Sequence, residues 1–275
     1  MNNHWTSFLN RIDEACLALG CRRPGDPTDS GREPWFRGQS NINYKLLPSL
    51  FRAYEEPDQE DRRHIAWVES EFFYDFAARA RELRESNMND WDILFAMQHY
   101  GVPTRLLDWT DVLGVALYFS LLDGDGIAKS PCVWVMNPYG LNHPRVDDLF
   151  DPRFLPPPED INPSWEYGQV VSQWKGMGWH KPLALYPRHR TERVVAQSGW
   201  FTIHGNDHRS LEEIAGSKVV IRVDLPSEAR ESGLRFMEQA GINRRTLFPD
   251  MTNLAVYLRE QYGYATGQGR KKPGG

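Results

Sequence analysis

The run Val112-Leu113-Gly114-Val115-Ala116-Leu117-Tyr118-Phe119-Ser120-Leu121-Leu122 is apolar almost all round. A helix without a polar face has to be enclosed by other structure, so the run is read as a buried helix, capped by Thr110 or Asp111. A chain of 275 residues is long enough to enclose it, as one domain or one domain with a subsidiary lobe. Just before the run stands a block dense in chemistry, Met97-Gln98-His99-Tyr100-Gly101-Val102-Pro103-Thr104-Arg105-Leu106-Leu107-Asp108-Trp109-Thr110. A shorter stretch of the same kind, Trp35-Phe36-Arg37-Gly38-Gln39, lies near the start. Polar groups set between aromatics and aliphatics become partly buried and must find partners, which is how a site looks in a sequence.

The remaining elements follow from periodicity. Trp5, Phe8, Ile12, Cys16 and Leu19 fall at helical spacing and Gly20 stops them. A polar linker, Arg22 to Glu33, leads to a short aromatic strand at Trp35-Phe36-Arg37-Gly38. Ile65, Val68, Phe72 and Phe76 mark one face of a long charged helix reaching about Glu85, and a second helix runs from Asp90 to about Tyr100, where Gly101 and Pro103 break it. Cys132-Val133-Trp134-Val135-Met136 reads as a buried strand, and Asn137 to about Pro187 as an irregular lid-like loop or insertion. Arg193-Val194-Val195-Ala196 and Trp200-Phe201-Thr202-Ile203 read as a hairpin turning at Ser198-Gly199. Val219–Val223 is a further strand, Ser227 is expected to cap a helix ending before Gly241, and Asp250 one running to about Tyr262. The expected architecture is α+β: a single domain of mixed, mostly antiparallel sheets flanked by helices. It is divided into an N-terminal helix and linker (1–33), a main domain (34–262) and a disordered tail (263–275).

Composition narrows the function classes only modestly. A net charge of -5 carries no footprint for strong non-specific DNA binding, although a local basic strip can hide in that average. The 10 Trp, 13 Phe and 11 Tyr suit stacking on a flat ligand and suit a large core equally well. Three cysteines without CxxC spacing point to a reducing, cytoplasmic setting, and no run has the apolar length of a membrane span. Walker, GxGxxG and GxSxG motifs are absent, and no metal-ligand set is recognisable.

Arg37 places a permanent cation at a strand end, beside a glycine that would let the backbone approach a ligand, and a guanidinium can hold a phosphate bidentately. The structural alternative is an arginine paired with a carboxylate such as Asp108. His99 ends a helix, where the dipole favours its protonated form, and is a candidate for proton transfer or a ligand contact. Thr104, Arg105, Asp108, Trp109 and Thr110 add donors, acceptors and an aromatic face.

These residues resemble a known family. Phe36-Arg37-Gly38, the block from Gln98 to Thr110 followed by Ala116-Leu117-Tyr118-Phe119, then Gln197-Ser198-Gly199-Trp200-Phe201-Thr202, and Gly241-Ile242 with Leu247-Phe248-Pro249-Asp250 are together similar to the FRG domain family, from about Trp35 to about Arg259. A weaker similarity in the order of features is to mono-ADP-ribosyltransferases of the arginine, serine, glutamate type. That resemblance implies an ADP-ribosyltransferase-like fold with NAD as substrate. It implies Arg37 on the NAD pyrophosphate with Gly38 and Gln39 beside it, Thr110 in the Ser/Thr role, and Tyr100 or Trp109 on nicotinamide, with Thr104 and Arg105 completing the binding set.

Departure of nicotinamide leaves an oxocarbenium-like ribose that a carboxylate must stabilise. The sequence departs from the pattern at the expected glutamate: the Gly199 turn brings Arg193 or Gln197 there, with Glu192 one residue aside on the opposite face of a strand. Three alternatives stand open: Glu192 acts through a bulge, Asp108 supplies the charge, or no transfer occurs. The expected catalytic set is therefore Arg37, His99, Asp108, Thr110, Glu192 and Gln197. The function classes are an NAD-using enzyme that modifies a protein or nucleic-acid acceptor, as a toxin or anti-phage effector with an antitoxin or defence-system partner, and a non-catalytic nucleotide- or nucleic-acid-binding module. A nuclease built on His99 and Asp108 is a third.

Overall fold

In the computed structural model the helical periodicities of the sequence become α1 (Asn3–Ala18), α2 (Gln59–Leu83), α3 (Asp90–His99) and α4 (Leu113–Leu121). Residues 3–25, 31–54, 57–83, 88–123, 126–127, 130–142, 155, 181–187 and 196–262 are described here. The strands among them are β1 (Trp35–Gln39), β2 (Leu106–Thr110), β3 (Leu122–Asp123), β4 (Gly126–Ile127), β5 (Cys132–Met136), β6 (Leu183–Leu185), β7 (Gly199–Ile203) and β8 (Val220–Asp224). Shorter helices follow as α5 (Pro138–Asn142), α6 (Leu211–Ala215), α7 (Arg230–Gln239), α8 (Arg244–Leu247) and α9 (Met251–Gln261). No helix among the described residues is long and apolar enough to cross a membrane.

Six strands form one open sheet in the order β6-β7-β2-β1-β5-β8, with every ladder antiparallel, while β3 and β4 make a separate two-stranded ribbon. The α+β class and antiparallel sheet expected from the sequence are therefore observed. Period-2 alternation sends Phe36, Val133, Val135 and Val223 to one face, where Phe8 and Ile12 of α1 and Val115, Ala116, Leu117 and Leu121 of α4 cover them. On the same face but at the other end of the sheet, Leu106, Phe201 and Ile203 pack against Phe73 of α2 and Trp91, Leu94 and Phe95 of α3. The opposite face buries Trp35, Leu107, Trp109, Trp134 and Met136 under Leu46, Leu141 and Leu211. α4 is thus enclosed, as its composition required.

The central joint of this sheet is its thinnest. β1 pairs with β5 over five positions and β2 with β7 over five, yet β1 and β2 meet at the single pair Phe36↔Thr110. Beyond that pair no further ladder pair joins the two strands.

Several local expectations are corrected. The stretch between the break at Gly101 and Pro103 and α4, for which the sequence suggested no element, contains strand β2. Apart from the exposed Asp108, that strand is buried on both faces, so it shows no alternation for sequence reading to find. The N-cap of α4 is Val112, whose N–H donates to Thr110 Oγ1 at 3.1 Å, while Asp111 Oδ2 accepts from Trp200 Nε1 at 3.1 Å. Ser227 opens a 3-10 turn (Ser227–Ala229) with no capping bond, and its hydroxyl donates to Glu228. Asp250 does cap α9, accepting from Asn253 N–H at 2.8 Å. The expected hairpin at Trp200 does not form as drawn: Ala196 is helical, and both edges of β7 are taken by β2 and β6. The rest of that segment, Arg193 to Val195, lies outside the described residues, as does the tail from 263. The region 137–187 contains α5 and β6.

Candidate functional site

Beside the β1–β2 joint lies a cleft of about 1770 Å³ lined by Arg37, Gly38, Asp108 and Thr110 among others. Arg37 leaves β1 and donates from Nη1 to the backbone carbonyl of Asp108 at 2.6 Å. That carbonyl lies beyond the one β1–β2 pair, so the guanidinium satisfies an acceptor that a continuous ladder would have used. The same Nη1 stands 3.7 Å from Asp108 Oδ2. The Arg37 side chain is 17% exposed and that of Asp108 54% exposed, so the cation lies deep and the carboxylate faces solvent. Arg37 Nε is buried without a hydrogen-bond partner, and Nη2 has none among the described residues. Burial lowers the Arg37 pKa from the usual guanidinium range; Asp108 opposes that shift and the charge of Arg52 adds to it.

Asp108 is positioned by a short relay. Thr104 Oγ1 donates to Gln98 Oε1 at 2.5 Å, and Gln98 Nε2 donates to Asp108 Oδ2 at 2.7 Å. Thr104 itself is buried and pinned, its Oγ1 accepting from Leu106 N–H at 3.1 Å and its carbonyl from Leu50 N–H at 3.1 Å. The end of α3 is set in turn by a capping box at its start, where Asn89 and Asp92 satisfy each other's backbone donors.

The expected site residues divide between the cleft and positions outside it. Arg37, Gly38, Gln39, Asp108, Trp109, Thr110 and Gln197 line the cleft. Of these, Gly38 has a different reason from the one its sequence suggested: a Cβ there would lie 1.8 Å from the carbonyl oxygen of Ala116, so the glycine admits α4 rather than a ligand. Trp109 is 2% exposed and its Nε1 donates to Thr202 Oγ1 at 3.1 Å, which leaves no free ring face for nicotinamide. Gln39 bridges Trp134 Nε1 and the Lys45 carbonyl. Thr110 Oγ1 donates to the Gln197 carbonyl at 2.8 Å, and Gln197 Nε2 to the Leu247 carbonyl at 3.1 Å.

His99, Tyr100, Thr104 and Arg105 do not line the cleft. His99 packs edge-on against the exposed Tyr100. Arg105 is buried in a two-bond pair with Glu69 of α2 and donates to the carbonyls of His204 and Gly205 at 3.1 Å each, tying α2 to the loop after β7. Glu192 lies outside the described residues.

Other cleft residues carry no motif. Arg52 donates from Nε to the Leu47 carbonyl at 2.9 Å, and Arg62 from Nε to the Pro57 carbonyl at 3.2 Å. Lys45 pairs with Glu213 and Arg209 with Asp207. His208 stacks on Phe51 with centroids 4.5 Å apart and is pushed down to about 4 by burial, with Arg105 and Arg62 adding to the shift. Its imidazole is therefore neutral at neutral pH. Among the described lining residues Arg37, Lys45, Arg52, Arg62 and Arg209 face only Asp108, Asp207 and Glu213, a cationic surplus beside the aromatic faces of Tyr44, Tyr54 and Phe119. Charge and aromatic faces of this kind are chemically suited to an anion joined to a flat apolar group.

Fold and cleft together define an antiparallel α+β domain with a cleft, rich in cationic side chains, beside the β1–β2 joint of its sheet. The chain carries an FRG domain: residues 32–126 match the model of that family. The match spans β1 to β4 and contains Arg37, Arg52, Arg62 and Asp108, whereas Gln197 and the 207–213 wall lie beyond it. No curated protein and no solved structure matches the chain.

Proposed function

We propose that the cleft binds a nucleotide of the NAD type and that the protein is an ADP-ribosyltransferase-like enzyme, transferring ADP-ribose to a macromolecular acceptor or to water. The observation that carries this reading is the Arg37–Asp108 arrangement. A deep guanidinium with unused donors stands beside an exposed, relay-held carboxylate in a cleft with a surplus of positive charge. Arg37 would hold phosphate through charge-assisted hydrogen bonds. Asp108, fixed by Gln98, would stabilise the positive charge that develops on the ribose as nicotinamide leaves. Phe119, 37% exposed on α4, offers the apolar face that Trp109 does not.

Labelled NAD incubated with the protein, alone and with protein or nucleic-acid acceptors, is expected to release nicotinamide, and Asp108→Asn is expected to slow that release by at least about a hundredfold. Absence of turnover with every acceptor class refutes the enzymatic reading. A second reading, a nucleotide-binding module without catalysis, is favoured by one feature: Asp108 Oδ2 is already engaged by Gln98 and near Arg37. Calorimetric binding of NAD without consumption is its signature. The nuclease reading loses its geometric basis, because His99 does not meet Asp108 in the cleft.

A further inference from the structure

Arg52 belongs to no motif, yet it shares the cleft and the charge balance of Arg37. Asp108 acts electrostatically on both guanidiniums, and the charge of Arg52 acts unfavourably on Arg37. Both arginines line the cleft with this one carboxylate, which leaves one of their two positive charges uncompensated. Each is held by a single hydrogen bond to a backbone carbonyl, Arg37 through Nη1 to Asp108 and Arg52 through Nε to Leu47. Neither anchoring bond consumes the remaining Nη donors, so both guanidiniums are pre-oriented with donors to spare. The Arg37 side chain is largely buried and Arg52 is exposed, so the two guanidiniums stand at different depths of the cleft that both line. One phosphate can engage one such fork fully, whereas two linked phosphates can engage both.

We propose that Arg37 and Arg52 form a two-guanidinium clamp that selects ligands carrying two linked phosphates over ligands carrying one. Arg52 is the specificity-determining member of the clamp, and Arg37 the member common to both ligand classes. The clamp rests on the reading of the cleft as a nucleotide site but requires no turnover. Lys45 and Arg209 do not serve this role, because each already holds an acidic partner, Glu213 and Asp207.

The test compares ADP-ribose with AMP by calorimetry at pH 8, with adenosine and inorganic pyrophosphate as further probes. AMP then carries about two charges on one phosphate, and ADP-ribose one charge on each of two, so total charge does not favour either ligand. Wild-type protein is expected to bind ADP-ribose at least about tenfold more tightly than AMP. In Arg52→Gln that ratio is expected to fall to about two or less while AMP affinity changes by less than about threefold, and Arg52→Lys, which keeps charge without the fork, is expected to restore the ratio only in part. A thermal melt of each variant confirms that it is folded. Equal binding of AMP and ADP-ribose by the wild type overturns the clamp, as does an unchanged ratio in Arg52→Gln. Tight pyrophosphate binding that depends on Arg52, with no gain from adenosine, upholds the clamp and refutes the nucleotide reading. Binding of none of the four probes refutes both.

Discussion

Gly38→Ala is expected to be among the most damaging small substitutions in this chain. The added Cβ would stand 1.8 Å from the Ala116 carbonyl oxygen, 2.6 Å from Ser120 N and 2.9 Å from the Ala116 carbonyl carbon. A carbon rests against a carbonyl oxygen at about 3.3 Å or more, so α4 would have to recede from β1 by roughly 1.5 Å. All three obstructing atoms are backbone, and no rotamer change relieves them. α4 also has little room to retreat. A methyl on Gly114 would meet Ile242 Cδ1 at 2.4 Å, and one on Gly233 would meet Leu121 Cδ1 at 2.9 Å. Overpacking a core costs about 1–3 kcal/mol when side chains can yield, so a backbone clash on a hemmed-in helix is placed at the top of that range, about 3 kcal/mol. For a domain of this size that corresponds to a fall in Tm of roughly 6–12 °C. Urea and thermal unfolding of the wild type and variant measure it, with Gly101→Ala as control, since Gly101 has φ +79° but open space around its Cβ position and should lose only about 1 kcal/mol. A loss below about 1 kcal/mol for Gly38→Ala would show that α4 does not lie on β1 as described.

Two further outcomes follow from buried polar groups. Glu69→Ala leaves Arg105 buried with no carboxylate and is expected to cost about 3–5 kcal/mol in denaturant unfolding, while replacing both partners by apolar residues is expected to cost less. His204 is fully buried, neither ring nitrogen has a hydrogen-bond partner among the described residues, and its pKa is pushed down to about 3, chiefly by burial, with Arg105 adding to the shift. The unfolded chain takes up a proton there near pH 6.5 and the folded chain does not. Stability is therefore whole above pH 6.5 and falls from that group by about 1.4 kcal/mol per pH unit as pH drops toward 3. His204→Phe is expected to flatten the acid limb of a stability–pH profile, and an unchanged slope refutes the assignment.

What was legible in the sequence, and what was not, follows physical lines. α1 and α4 could be read because period and composition alone demand a buried stripe or a buried cylinder. β1 and β5 could be read as short aromatic or β-branched runs. β2 could not, because Leu106, Leu107, Trp109 and Thr110 are buried on both faces and follow Pro103, which suggests a loop. Arg37 and Asp108 were visible as a possible pair, although not the form the contact takes, from a side-chain donor to a strand carbonyl beside a single-pair joint. Arg105 looked like a site residue because buried structural arginines and ligand-binding ones share the same aromatic, aliphatic neighbourhood. Arg52, Arg62 and His208 were missed because they sit in loops or a first helical turn, where no periodicity marks what tertiary folding brings together. A faint trace existed in Phe51-Arg52, which repeats the aromatic-arginine order of Phe36-Arg37.

The most direct test of the cleft as a nucleotide site is calorimetric titration of ADP-ribose into the wild type and Arg37→Gln, with a thermal melt to show that the variant folds. Saturable one-to-one binding by the wild type, weakened at least about tenfold in a folded Arg37→Gln, is the predicted result. Absence of binding by the wild type, or equal affinity in the two proteins, would contradict it.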